Sequence, residues 1–248
     1  MSPRSIAIKA LKEPSGLIEL YSCHKCTFKW ALLTGTESYK LAKNREMVIA
    51  CLKGRCDVDV DGASIEIGCR DTLYLSGPSE LKLYSNECLV VVAEAVAKSK
   101  GLSIIRRFVE IQPVITGMQG YRRKVYVAIG EKDPSCSLLA GYTEGFPGEW
   151  TSFPPHKHDD KLEVYVYYGL EDGFGVQIVE DENNADLYMV KNYDAVVICR
   201  GYHPNVGSPG VGINYLWILC QVEGEKNMRV DFKPGYDRFQ LGSTHLRS

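Results

Sequence analysis

Apolar and polar positions alternate along almost the whole chain, with β-branched and aromatic residues enriched at the apolar ones. In the first half, residues 6–10, 46–52, 57–60, 64–67, 72–75, 81–84 and 88–93 read as short strands. In the second half, residues 124–129, 137–143, 163–168, 175–179, 186–190, 195–199 and 213–222 read the same way. Asp61-Gly62 sits between two such runs and has the composition of a two-residue hairpin turn. No long stretch holds a 3.6-residue period, so little helix is expected. Short strands at this spacing predict an all-β protein of antiparallel sandwich or barrel type.

The strands fall into a weak internal repeat. The first copy is residues 46–54, a hairpin, then 68–78; the second is 163–169, paired strands, then 194–201. Each runs strand, turn, strands, an Asp-led apolar strand and a glycine turn. Two similar β-barrels in tandem follow, over residues 1–110 and 111–248. The join falls within 98–123, where Lys98-Ser99-Lys100-Gly101 and Gly117-Met118-Gln119-Gly120 supply turn residues.

Charge narrows the function classes. The 248 residues carry 29 Lys+Arg against 31 Asp+Glu, a net charge of -2, without the basic surplus of a dedicated nucleic-acid binder. No apolar run approaches the ~20 residues of a membrane helix. The opening Met1-Ser2-Pro3-Arg4 leads into no apolar signal region, and the nine cysteines are odd in number. Free thiols in a reducing cytoplasm are therefore expected. Cys23-His24-Lys25-Cys26 has C-x-x-C spacing, but neither a second ligand pair nor a thioredoxin-like context accompanies it.

The candidate chemistry lies in the second copy. His156 and His158 are two apart, so on a strand they point to the same side. Glu163 opens the next strand, and His203 follows about forty residues later in Arg200-Gly201-Tyr202-His203-Pro204. Three of the chain's five histidines fall in this set. Three imidazoles and a carboxylate suit zinc, with manganese or iron as alternatives, and leave room for water or substrate. Counted back from Glu46, the matching positions of the first copy are Tyr39, Leu41 and, for His203, a position near Glu80. These are not imidazoles, so the first barrel is expected to be metal-free and to serve in packing, against the second barrel or in a homo-oligomer.

His156-x-His158-x4-Glu163 with a distal His203 resembles the cupin metal signature, and the two-copy layout resembles a bicupin, two double-stranded β-helix barrels in tandem. The segment Gly148-Glu149-Trp150-Thr151-Ser152-Phe153-Pro154-Pro155-His156-Lys157-His158-Asp159 is similar to the 5-deoxy-glucuronate isomerase family of myo-inositol breakdown. So are Gly173-Phe174-Gly175-Val176-Gln177-Ile178-Val179, Cys199-Arg200-Gly201-Tyr202-His203-Pro204 and Asn214-Tyr215-Leu216. The resemblance covers most of residues 121–235. It departs from the family in the short link before Glu163, in Cys199 where Pro is usual, and in Val164 where a second acid is usual.

The resemblance implies a metal-dependent aldose–ketose isomerase acting on a small sugar acid. A related family acts on 5-keto-4-deoxyuronate with the same ligands. A cupin dioxygenase and a non-catalytic sugar- or metal-binding bicupin are the readings from other classes, and fold alone does not separate them. Isomerisation needs a base at a carbon-bound proton. A metal-bound hydroxide, Glu163 and Tyr215 are the candidates. A uronate carboxylate calls for an arginine fork, for which Arg123 and Arg200 are the choices. Tyr168, Gln177 and Tyr215 are expected to contact sugar oxygens, while Tyr165 and Tyr167 are expected to be core tyrosines with hydrogen-bonded hydroxyls.

Overall fold

The computed structural model of the chain describes residues 4–98, 101–236 and 238–239. After β1 (Ser5–Ile8), the first half builds β2 (Ile18–Ser22), β3 (Cys26–Leu41), β4 (Arg45–Val60), β5 (Ala63–Gly68), β6 (Thr72–Ser76), β7 (Ser79–Val96) and β8 (Ile104–Arg106). The second half builds β9 (Val114–Thr116), β10 (Arg123–Ile129), β11 (Leu138–Gly145), β12 (Trp150–Thr151), β13 (His156–Lys157) and β14 (Lys161–Tyr168). It continues with β15 (Gly175–Glu180), β16 (Ala185–Val190), β17 (Ala195–Ile198), β18 (Asn205–Gly207), β19 (Asn214–Gln221) and β20 (Asp231–Phe232). Among the described residues one 3-10 turn, Phe108–Glu110, is the only helical piece, and no helix is long and apolar enough to cross a membrane.

Among the described residues all strand pairs are antiparallel. The first barrel is one sheet in the order β2-β3-β7-β4-β6-β8, with β5 on β4. The second is a seven-stranded sheet, β1-β17-β14-β19-β11-β10-β9, with a four-stranded sheet, β12-β18-β15-β16, and a small ladder of β13 on β20. Strand β1 pairs Ser5 with Ile198 through Ile8 with Ala195, so the first strand of the chain lies on the second barrel's sheet.

Three strands are longer than the alternation suggests. Residues 46–52 and 57–60 belong to one strand, β4, as 81–84 and 88–93 belong to β7. The β4–β7 register slips between Cys51 and Lys53 and again between Gly54 and Asp57. Each bulge bends the strand, which lets one strand serve two faces of a barrel. Gly54 is suited to the bend: its φ is 74°, and a Cβ there would meet the Glu87 carbonyl oxygen at 2.2 Å. Strand β3 carries Thr34-Gly35-Thr36-Glu37-Ser38, which reads as a loop by composition. Its backbone is held instead by pairing with residues 79–95 of β7, far away in sequence.

The repeat has a physical basis in its two aspartates. Asp71 Oδ2 accepts the Gly68 N–H at 3.0 Å, and Asp194 Oδ2 accepts the Lys191 N–H at 3.0 Å. Each side chain closes the turn before its strand. With these turns superposed, Leu75 matches Ile198, so Met47, the partner of Leu75, matches Glu163, the partner of Ile198. The match of Glu46 with Glu163 expected from the sequence is thus offset by one residue. In a strand that offset turns a side chain to the opposite face.

Glu46 faces the other barrel. It is fully buried, and its carboxylate accepts the N–H groups of Cys136 (2.6 Å), Ser137 (2.6 Å) and Leu138 (3.0 Å) and the hydroxyl of Tyr74 (2.8 Å). Around it Trp30, Val48, Ala50 and Tyr74 of the first barrel pack against Tyr142, Val164, Val166 and Ile218 of the second. The nine cysteines are free thiols. Cys23 and Cys26 close a hairpin, with their sulfurs 3.9 Å apart.

Candidate active site

The polar interior of the second barrel is assembled from three strand ends. Pro154 and Pro155, the first joined to Phe153 by a cis peptide bond, lead into β13, which carries His156. Gly201, at φ 99°, turns the chain after β17 so that His203 comes back beside it, where the His203 N–H donates to the His156 carbonyl at 3.2 Å. Glu163 enters from β14. The ligand atoms of His156, His158 and His203 lie within 4.8 Å of one another. Glu163 Oε2 is 3.2 Å from His203 Nε2 and 3.7 Å from His158 Nε2.

Each imidazole is oriented through its other nitrogen. His156 Nδ1 bonds the Pro154 carbonyl (3.0 Å), His158 Nδ1 the Arg229 carbonyl (3.1 Å), and His203 Nδ1 the Gly201 carbonyl (3.0 Å). A carbonyl only accepts, so each Nδ1 carries a proton, which leaves Nε2 as the ligand atom of each ring. Burial, joined by the neighbouring His203 and His158, holds the His156 imidazole well below its ordinary pKa. Burial also takes His158 down to about 4. Both are therefore neutral at pH 7. His203 Nε2 and Glu163 Oε2 are buried with no hydrogen-bond partner. Two such atoms 3.2 Å apart in a dry interior are satisfied by a cation between them, a metal ion or a proton. The buried imidazole group can hold a metal ion, and Glu163 is placed to join it.

The other expected site residues separate into two groups. Arg123 and Tyr215 belong to this interior. Arg123 is 8% exposed, donates to the Phe153 (2.7 Å) and Tyr121 (3.3 Å) carbonyls, and is close enough to depress His156. Tyr215 packs against Tyr165 with ring centroids 4.2 Å apart, and its hydroxyl shares a 3.2 Å hydrogen bond with Thr151 Oγ1. Burial raises the Tyr215 pKa, which favours the protonated phenol.

Gln177, Tyr168 and Arg200 are placed otherwise. Gln177 Oε1 accepts from Tyr167 (2.7 Å) and Asn205 (2.9 Å), and its Nε2 donates to the Ile178 (2.8 Å) and His203 (3.0 Å) carbonyls. Its hydrogen-bonding capacity is filled, so it braces the segment at His203 instead of meeting a ligand. Tyr168 lies on the opposite face of β14 from Glu163, between the barrels, 6.2 Å from Tyr142. Arg200 makes no side-chain contact with the imidazoles; its backbone N–H bonds the Arg4 carbonyl at 3.2 Å and its charge acts on Cys199.

Sequence reasoning gives Tyr165 a core position, which the structure confirms, but no place beside the imidazoles, and it gives no role to Ser152 or the C-terminal segment. Tyr165 shares the parity of Glu163 along β14, a signal that was available, and its ring lies 5.9 Å from His203. Arg229 orients His158 through its carbonyl, and β20 pairs Phe232 with His156. A backbone carbonyl leaves no mark in the sequence.

Known proteins resemble this chain in sequence and in fold. The 5-deoxy-glucuronate isomerase of Geobacillus kaustophilus (strain HTA426) is 28% identical over 213 residues, covering 77% of each chain. The 4-deoxy-L-threo-5-hexosulose-uronate ketol-isomerase 2 of Enterococcus faecalis (strain ATCC 700802 / V583) is 24% identical over 187 residues, 72% of this chain and 68% of the relative. Among solved structures, an IolB-like protein from Salmonella typhimurium LT2 superposes with a TM-score of 0.81 at 21% identity, covering 94% of this chain and 98% of that one. The cupin-type double barrel is shared with solved cupin structures at lower likeness. Residues 21–238 match the KduI/IolB family, and the chain belongs to it.

Proposed function

We propose that the protein is a metal-dependent isomerase that converts a deoxy-uronate between its aldehyde and ketone forms. The first-choice reaction is 5-deoxy-glucuronate to 5-dehydro-2-deoxy-gluconate, in myo-inositol breakdown; the keto-deoxyuronate of the ketol-isomerases is the alternative substrate. The names of the relatives support the reaction class. One observation carries the substrate class: Arg123 is a buried guanidinium beside the imidazoles with no acidic partner among the described residues. A buried charge without a counter-ion is costly, and a uronate carboxylate supplies that counter-ion in the bidentate geometry arginine prefers.

His156, His158, Glu163 and His203 would hold the metal. Zinc is our first assignment for three nitrogens and an oxygen, with manganese and iron as alternatives. The ion supplies Lewis-acid polarisation of a carbonyl oxygen when bound. The chain's own residues do the rest. Arg123 binds the carboxylate end of the sugar, and Tyr215 offers a phenolic hydroxyl along the same wall. Val196, Ile198 and Leu219 exclude water behind them. The free thiols suit a cytoplasmic enzyme.

Proton NMR of the purified protein with each uronate and with neutral sugars tests the reading, alongside elemental analysis for the metal. Turnover of a uronate is expected. Arg123→Lys keeps the charge but loses the planar fork. It should lower uronate kcat/KM by about 10²-fold, and neutral-sugar turnover much less. Absence of turnover on both uronates by metal-loaded protein rejects the proposal.

A further inference from the structure

Ser152 has a backbone that its local sequence does not require. Its φ is 50°, in the left-handed region that disfavours a residue with a Cβ. Among the described residues four other non-glycine residues share a positive φ: Asp61, Arg70, Glu171 and Tyr193. Each of those lies in a turn, and none of them is buried. Ser152 is 3% exposed and stands immediately after β12, against the imidazole group. Strain of this kind persists only where the surroundings enforce it, and it clusters at functional sites.

The side chain is also under-bonded. Its Oγ is 3.5 Å from His156 Nε2 and 3.4 Å from the Tyr165 hydroxyl, both long for hydrogen bonds of these types. The preceding residue shows the contrast. Thr151 Oγ1 bonds both Asn205 and Tyr215, joining β12 to β18 and β19. Two successive hydroxyls thus have different fates: one ties strands together, and the other is aimed at the ligand atom of His156. Once the His156 Nε2 lone pair is committed to a metal, the Ser152 O–H loses that acceptor. With the Tyr165 hydroxyl donating to Ser152 Oγ, the Ser152 O–H is left to meet an oxygen of a bound sugar.

We propose that Ser152 is a substrate-contacting residue, whose hydroxyl bonds the reacting sugar oxygen beside His156 while Tyr165 holds that hydroxyl in place. This rests on the isomerase reading above. Isomerisation moves negative charge onto that oxygen, and a pre-aimed donor there stabilises the transition state more than the ground state.

Glycine and alanine variants separate chemistry from architecture. Ser152→Gly removes the hydroxyl and relieves the left-handed strain. It should raise the Tm of the metal-free protein by about 2–4 °C. The metal content of the loaded protein should be unchanged, and kcat should fall by about 10²-fold with KM altered by less than about 3-fold. Ser152→Ala should show the same fall in kcat without the rise in Tm. Wild-type kcat in Ser152→Gly would make the residue structural and overturn the proposal. Loss of metal together with kcat would assign Ser152 to holding His156 and would also overturn it. A wild-type protein that turns over neither uronate removes the isomerase reading, and this role with it; an active wild type with an active glycine variant removes this role alone.

Discussion

Met47 and Glu163 stand at the same place in the two barrels, each paired with the fourth residue of the Asp-led strand. Around Met47 the interior is aliphatic, with Ile49, Leu73, Leu75, Val90 and Val92. The polar groups at this end are satisfied by one another. Glu94, across from Met47, accepts from the Tyr39 hydroxyl and from Arg45 Nε at 2.5 Å, and Lys29 donates to Tyr39 at 2.9 Å. Around Glu163 the interior carries Tyr165, Tyr167, Tyr215 and the three histidines, and two of its polar atoms have no partner. One strand plan therefore gives a closed core when its buried polar groups pair with each other. It gives a binding site when some are left unpaired in dry surroundings, at about 1–3 kcal/mol for each such group. A ligand that satisfies those groups recovers that energy.

The largest expected effect removes what sets the second barrel apart. His158→Ala should lose the bound metal on elemental analysis, and turnover should fall by about 10³-fold or more. Full metal retention would break the assignment. The reverse graft, Met47→Glu, places a carboxylate in the first barrel without imidazoles and near Glu94. It should cost about 3–5 kcal/mol in urea unfolding and gain no metal; a stable variant that takes up metal would show that the two interiors are interchangeable.

Acidification probes the second barrel alone through His158. Its pKa falls from 6.5 to about 4 in the metal-free fold, burial being the main cause. The unfolded chain binds the extra proton between those values, so stability drops as pH falls from 6.5 toward 4. The contribution is fully present above 6.5 and amounts to about 3 kcal/mol. Removing the imidazole with His158→Gln should lessen the slope of the unfolding free energy between about pH 7 and 5, leaving the part due to His156. An unchanged slope would mean that His158 does not titrate this way. The smallest effect is expected at Tyr168, whose buried hydroxyl lacks a hydrogen-bond partner between the barrels. Tyr168→Phe should leave kcat within about 2-fold and stability equal or slightly higher; a large loss of activity would put Tyr168 back in the site.

Local patterns carried what was legible in the sequence. The spacing of His156, His158 and Glu163, the glycine turn before His203, and the two Asp-led strands each depend on a few adjacent residues, and strand geometry converts such spacing into direction. Period-2 alternation was enough to predict an all-β chain. It could not say which face of β14 is the barrel interior, because all eight residues of that strand are buried. A strand covered on both sides offers no polar face to read. Tyr165 and Tyr168 differ in parity, but only the packing of two barrels decides which parity meets the histidines. Pairing over long distances was equally hidden. Strand β1 completes a sheet nearly 190 residues away from it in sequence, and β3 is held by β7 despite a loop-like composition. The carbonyl of Arg229 orients His158 through a backbone atom common to every residue type. The donor set was therefore written in the sequence. The tertiary structure decided which donors stay unpaired, because that depends on neighbours brought together from distant parts of the chain.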